Sequence, residues 1–341
     1  MSRAAAGGSV LLIGNFLSAV SGIPGPSEEL AERLAGGGWT VLTASSRRGR
    51  PARFADMLWT AWRARRRYRV AQVEVYSGPA FFWAEAVCRV LRGAGKPFVL
   101  SLHGGNLPAF ATRHEGRVRA LLEPAAAVTT PSRFLLEAMR PYRSDLRLIP
   151  NPLELSTYPF RARERAEPRL VWLRAFHRIY NPALAPQVVA RLDGEFPQVR
   201  LTMFGPDRRD GSREETERLG GPVELAGAVP KSRVAASLHQ GDIFLNTSNV
   251  DNAPVSVVEA MACGLCVVST DVGGMPYLVE NGEQALLVPP NDAAAMAGAV
   301  RRVLTEPGLA EKLSRAGRAW AEEFDWSRVL PEWQKLLGSL A

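Results

Sequence analysis

The sequence predicts an α/β protein of two consecutive Rossmann-like domains, each a doubly wound parallel sheet, facing a central cleft. Three observations predict it. At 341 residues the chain exceeds the size at which one core keeps growing, and 46% apolar residues are enough for two. Short runs rich in Val, Ile and Leu alternate with longer amphipathic stretches, the rhythm of strand-helix-strand units. That rhythm stops once, between Asn151 and Pro168, where three prolines and many charges show no sustained period, and then resumes.

In the first half, strands are expected at residues 10–16, 40–44, 70–76, 98–103, 127–130 and 146–149, with helices between them. The first clear helix is expected to start at Ser27, whose hydroxyl suits the free amides of Glu28 to Leu30, and to end at Gly36-Gly37-Gly38. Ser132 is expected to cap another. The irregular stretch 151–168 reads as a linker, giving a first domain of residues 1–160 and a second of 161–319. Strands of the second are expected at 170–173, 199–204, 223–225, 243–246, 266–269 and 285–288. Asn181-Pro182 and Asn291-Asp292 each read as a helix opening. Residues 320–341 are helical and aromatic. Ligands of such sheets bind beyond the carboxyl ends of the strands, so chemistry is sought just after each strand.

Composition narrows the function classes. Cys88, Cys263 and Cys266 are too few for a disulfide framework and fit a reducing compartment, so a cytoplasmic protein is expected. Cys263 and Cys266 form a C-x-x-C, but a tetrahedral zinc site needs four ligands and no second pair exists, so no metal is expected. The start of the sequence lacks the apolar core of a signal peptide, and no apolar run approaches the ~18 residues of a membrane-spanning helix. The net charge of +8 is uneven: residues 1–160 carry 21 Lys and Arg against 11 Asp and Glu, net +10, and the remainder 21 against 23, net −2. The densest patch, Arg63, Arg65, Arg66, Arg67 and Arg69 among Trp59, Trp62 and Tyr68, reads either as a solvated helix face or as a surface for anionic lipid headgroups or a phosphorylated acceptor, so peripheral membrane contact is one expectation. Nucleic acid is not expected, because no recognition motif accompanies the charge. A nicotinamide dehydrogenase is not expected either, since neither half shows G-x-G-x-x-G after its first strand.

The most informative stretch runs from Asn246 to Val279 as strand, loop, helix, strand, loop. Asp251 falls in the first loop and Glu259 eight residues later on the helix, so both carboxylates can face one cleft. A carboxylate accepts from vicinal hydroxyls such as those of a ribose. The amides of Ala253 and Val255, at the start of that helix, suit a diphosphate, whereas Pro254 offers no donor. Glu259-Ala260-Met261-Ala262-Cys263-Gly264 and Asp271-Val272-Gly273-Gly274 resemble the signature of the family-4 retaining glycosyltransferases, which have the GT-B fold. The resemblance implies that Glu259 holds the ribose hydroxyls of a nucleotide. It also implies that Asp251, standing where the family has Glu, meets the donor sugar, with Asn252-Ala253-Pro254 in place of the usual Gly-aromatic-Gly.

Further matches extend the resemblance over most of the chain. Ser101 to Pro108 ends a strand with His103 before Gly104, Gly105 and Asn106, and the family places a His here near the donor sugar. Leu170 to Phe176 carries Arg174 at the end of a strand, where the family has an Arg that neutralises the donor pyrophosphate. The family's Lys about five residues on is absent, and Arg178 or Lys231 is the candidate replacement. Gly205 lies at the family's glycine turn, and Gly22 and Gly25 fall where the family has a Gly-rich loop that touches acceptor and phosphate. The resemblance also implies that residues 320–341 cross back onto the first domain. Together these matches imply a metal-independent, retaining transfer of a hexose-like unit from a nucleoside diphosphate sugar to an acceptor hydroxyl, in which the leaving phosphate assists deprotonation. The nucleotide sugar is a substrate and no cofactor is implied. The acceptor, expected on the basic first domain, is a glycolipid, a polysaccharide or a small molecule. Two rivals are a sugar-nucleotide epimerase of the same fold and a non-catalytic module that binds nucleotide sugars.

Overall fold

In a computed structural model, which describes residues 8–18 and 25–341, the chain divides into two compact units. One is Met1–Pro152 with Ser327–Ala341, and the other is Leu153–Trp326. The division thus lies upstream of the 160/161 boundary suggested by the sequence. Among the described residues no helix is long and apolar enough to cross a membrane.

The first unit holds strands β1 (Ser9–Ile13), β2 (Thr40–Ala44), β3 (Val70–Val75), β4 (Phe98–Leu102), β5 (Ala127–Thr130) and β6 (Arg147–Leu148). They form one parallel sheet in the order β2-β1-β3-β4-β5-β6. Helices α1 (Pro26–Gly36), α2 (Arg50–Arg63), α3 (Pro79–Gly93), α4 (Leu107–Arg113), α5 (Glu115–Leu122) and α6 (Arg133–Met139) follow the strands. Every residue of β4 and β5 is buried, which is why these strands read as continuous apolar runs. Strand order reverses between β1 and β3, the switch point at which such sheets bind ligands. Ser132 caps α6 as expected, accepting from the Leu135 amide at 3.1 Å.

Ser27 does not cap α1. Pro26, with fixed φ and no N–H to satisfy, takes the first helical position, so Gly25 is the cap, and its amide donates to Glu28 Oε2 at 2.7 Å. Ser27, one position further in, turns inward and its hydroxyl donates to Glu74 Oε1.

The second unit holds β7 (Arg169–Leu173), β8 (Arg200–Phe204), β9 (Val223–Gly227), β10 (Ile243–Asn246), β11 (Cys266–Thr270) and β12 (Ala285–Val288). Its parallel sheet has the order β12-β11-β10-β7-β8-β9, with the switch point between β7 and β10. Its helices are α7 (Leu184–Leu192), α8 (Ser212–Arg218), α9 (Val234–Leu238), α10 (Val255–Ala262), α11 (Met275–Leu278), α12 (Ala293–Thr305) and α13 (Leu309–Ala321). A last helix, α14 (Trp326–Gly338), starts where this unit ends, and residues from Ser327 onward belong to the first unit. Asp292 caps α12 as expected, accepting from the Ala295 amide at 2.8 Å. Asn181 does not cap α7, which starts after Ala183. Asn181 instead takes a left-handed conformation, φ 44°, open to Asn at small cost, and its side chain donates to Asn291 Oδ1 at 2.9 Å.

The stretch 151–168 is not a free linker. From Leu153 onward it packs on the second unit: Leu153 bridges to Asp325, and Tyr158 and Arg163 are both almost wholly buried. Arg163 donates to Gly241 O at 3.0 Å and to Asp242 Oδ1 at 3.2 Å. Asp242 also accepts from Arg161 at 2.8 Å, Arg169 at 2.7 Å and the Glu167 amide at 3.2 Å. Burial alone would push the Asp242 carboxyl up, but these partners, Arg169 foremost, outweigh it and hold the group below its ordinary value. The segment is pinned at isolated side chains rather than along a repeating face, so it leaves no periodic signature in the sequence.

Candidate functional site

In the second unit, the ends of the two strands at the switch point meet. Arg174 follows β7 and Asp251 lies in the loop after β10, and the Arg174 guanidinium pairs with Asp251 Oδ2. Both side chains are largely buried, at 14% and 9% exposed, so the pair is shielded from the solvent that weakens surface ion pairs. The Tyr180 ring lies under the guanidinium, 4.4 Å from centroid to Cζ. A relay steadies that ring: Trp172 Nε1 donates to Thr247 Oγ1 at 2.9 Å, which donates to Tyr180 O at 2.7 Å. Arg174 Nε is buried with no hydrogen-bond partner among the described residues.

The surrounding backbone is fixed by glycines in close contact. Gly205, after β8, lies so close to the Arg174 carbonyl that a Cβ there would overlap it. Gly274, after β11, lies equally close to the Asn252 carbonyl, and its amide donates to Asp251 O at 3.1 Å. The 251–252 loop therefore rests on the Gly273-Gly274 turn. This is the physical content of a Gly-Gly pair 22 residues downstream of Asp251.

Asn252 and Ala253 continue that loop, and Val255 opens α10. Seven of the eight residues of α10 are buried, so the helix reads as apolar with one exception, Glu259. The Glu259 carboxylate, 8% exposed, accepts from the Tyr158 hydroxyl at 2.6 Å, a charge-assisted bond from the segment read as linker. In the first turn of α10, Ser256 Oγ is buried and without a hydrogen-bond partner among the described residues. Neither Tyr158 nor Ser256 is singled out by the sequence: Tyr158 acts from 101 residues away, and Ser256 is one small polar residue in an apolar run.

The two candidates for a second cation are placed elsewhere. Arg178 is turned to Asp210, whose carboxylate accepts from the Arg178 amide at 2.8 Å and whose carbonyl accepts from its guanidinium at 3.2 Å. Lys231 follows β9, the edge strand two places from β7, in a short 3-10 helix. Cys263 and Cys266 are fully buried, and burial pushes both thiols up to about 12, so neither supplies a thiolate at neutral pH.

In the first unit, His103 follows β4 and stacks on the Tyr76 ring, with centroids 5.2 Å apart and planes at 22°. Burial lowers its pKa while the charge of Glu74 opposes that shift, so the imidazole is neutral at physiological pH. Gly104 takes φ 89° and Asn106 opens α4, with Gly105 between them. Gly25 caps α1 as described, and Gly22 lies outside the described residues.

Comparison with known proteins places this geometry. The model of Glycosyltransferase Family 4 matches residues 5–157, and that of Glycosyl transferases group 1 matches residues 161–320. Among curated proteins, glycogen synthase of Mycobacterium tuberculosis is 27% identical over 203 residues, covering 57% of this chain and 49% of that one. Phosphatidyl-myo-inositol mannosyltransferase of the same species is 28% identical over 220 residues, covering 61% and 57%. The chain thus spans about half the length of the curated relatives it matches. Among solved structures, sucrose-phosphate synthase from Thermosynechococcus elongatus has a TM-score of 0.81 at 22% identity, covering 98% of this chain and 99% of that one, a likeness of fold. With two family models accounting for consecutive halves and the GT-B fold shared, the chain belongs to the family-4 glycosyltransferases.

Proposed function

We propose that the protein is a retaining glycosyltransferase that moves a hexose-like unit from a nucleoside diphosphate sugar to the hydroxyl of a glycan, lipid-linked or small-molecule acceptor. The observation that carries the reading is the buried Arg174–Asp251 pair across the β7/β10 switch point, beside the start of α10. Arg174 has an unused buried donor at Nε, and the first turn of α10 adds free amides and the Ser256 hydroxyl, a donor set suited to a diphosphate whose charge grows as the glycosidic bond breaks. In this reading Glu259, oriented by Tyr158, accepts from the ribose hydroxyls, and Asp251 with the Asn252 and Ala253 backbone orients the sugar. The first unit presents the acceptor, and the neutral His103 positions the reacting hydroxyl. The leaving phosphate takes the proton of that hydroxyl on the face it departs from, so the anomeric configuration is kept.

The basic, aromatic end of α2 supports a further contact of the first unit with an anionic membrane surface. Trp59 and Trp62 are 63% and 47% exposed, and Arg65 lies over the Trp62 ring at 4.1 Å. The central test is donor turnover and transfer by Arg174→Ala and Glu259→Ala, with UDP-, GDP- and TDP-sugars as donors. Loss of a transition-state charge partner lowers the rate by about a hundredfold or more. Near-normal rates in both variants reject the assignment.

A further inference from the structure

The first unit has a ligand-sized cavity at its own switch point. Its volume is about 370 Å³, near the small end of the ~300–1,000 Å³ usual for ligand sites, which suits one ring and its substituents rather than an oligosaccharide. It lies beyond the carboxyl ends of β1 and β3, between the first turns of α2 and α3. We propose that this cavity binds a phosphorylated polyol, the acceptor of the transfer reaction, through Glu74, Asn15, Trp83 and Arg50.

Each group has a distinct part. Glu74, at the end of β3, accepts from Ser27 Oγ and distantly, at 3.5 Å, from Tyr76 OH, which leaves acceptor capacity on both oxygens for vicinal hydroxyls. Arg53 is committed to the scaffold: it donates to the carbonyls of Arg47 and Arg48 and to Asn15 Oδ1, each at 2.9 Å. That fixes the Asn15 amide with its Nδ2 donor unused. Trp83, braced by Phe54 at 5.5 Å, forms an aromatic wall for the C–H face of a ring. Arg50 makes no hydrogen bond or ion pair among the described residues and rests only near the Trp83 ring, at 6.0 Å. It stands at the first position of α2, where the helix dipole adds to its charge, so the rim attracts an anion. Carboxylate at one end and guanidinium at the other orient the ligand, hydroxyls toward Glu74 and phosphate toward Arg50.

This assignment rests on the proposed transferase reading only in calling the ligand the acceptor. The test uses the full chain, titrated with myo-inositol 1-phosphate and glucose 6-phosphate against their neutral parents, with binding read by saturation-transfer NMR. The phosphorylated probes are expected to bind about tenfold more tightly, equivalent to ~1.4 kcal/mol. Arg50→Ala is expected to abolish that preference and Glu74→Gln to weaken phosphorylated and neutral probes alike, with unchanged melting. A second arm compares phosphatidylcholine vesicles holding phosphatidylinositol with others holding phosphatidylglycerol. A preference for inositol that Glu74→Gln removes names a lipid headgroup as the source, and binding of the soluble probes alone names a free phosphate. Equal binding of charged and neutral probes, no binding in either arm, or wild-type behaviour of both variants overturns the proposal. Nucleotide binding, followed by thermal shift with UDP, GDP and TDP, keeps the two readings apart. If it persists while the probes fail, only the cavity assignment falls; if it is absent while the probes bind, the transferase reading falls and the cavity stands.

Discussion

Replacing Tyr158 by Phe removes one oxygen and tests how the 153–168 segment serves the proposed donor site. The Tyr158 side chain is 2% exposed and its hydroxyl donates to Glu259 Oε1 at 2.6 Å, while the carboxylate is 8% exposed. Phe keeps the ring, so no large cavity forms, and the loss is that of one buried, charge-assisted hydrogen bond, ~1.5–3 kcal/mol. The second unit spans 174 residues, Leu153 to Trp326, a size at which each kcal/mol moves the melting midpoint by about 2–4 °C. A loss of ~2 kcal/mol therefore lowers the midpoint by about 4–8 °C. A Glu259 no longer held by Tyr158 also loses orientation toward the ribose, so nucleotide affinity falls by about tenfold, ~1.4 kcal/mol. The assay is a thermal melt of both proteins with UDP, GDP and TDP titrated in parallel. An unchanged midpoint refutes the energetic importance of the bond. A lowered midpoint with full nucleotide affinity refutes the link from Tyr158 through Glu259 to the ribose.

Four further outcomes follow from particular contacts. The Asp242 carboxyl is held below its unfolded value, so its contribution to stability is complete above about pH 4 and is lost as pH falls through the folded value; urea midpoints between pH 7 and 3 should fall less steeply in Asp242→Asn than in the wild type. Gly274→Ala forces a methyl against the Asn252 carbonyl and displaces the 251–252 loop, costing ~1–3 kcal/mol in chemical denaturation and weakening nucleotide binding; unchanged values of both discount the close approach. Cys88, Cys263 and Cys266 are buried with thiols pushed up to about 12, so a thiol reagent at pH 8 should label none of them in the native protein and all three after denaturation. The protein should sediment with phosphatidylglycerol vesicles and release in about 0.5 M salt; a double Trp59→Ala, Trp62→Ala variant that binds equally well discounts α2 as the contact.

Local pattern and tertiary contact divide this protein cleanly. All twelve strands are visible in the sequence, because parallel strands buried on both faces must be short apolar runs set between amphipathic helices. The 246–279 signature is visible for a related reason: Asp251, Glu259 and Gly273-Gly274 sit on one strand-loop-helix-strand-loop unit whose spacing is set by the chain itself. Helix starts are less legible. Ser27 and Asn181 have cap chemistry, but a neighbouring proline and a turn conformation decide where α1 and α7 begin. What the sequence does not contain is which distant groups meet. Arg174 finds Asp251 across 77 residues and Tyr158 finds Glu259 across 101, while Arg163 and Asp242 join a segment without periodicity to the sheet. The cavity beside Glu74 likewise exists only because β1 and β3 become neighbours and two helices diverge from them. Propensity and periodicity act over a few residues and are written along the chain. Ion pairs, buried hydrogen bonds and cavities depend on distances through space, which the folded sheet order alone sets.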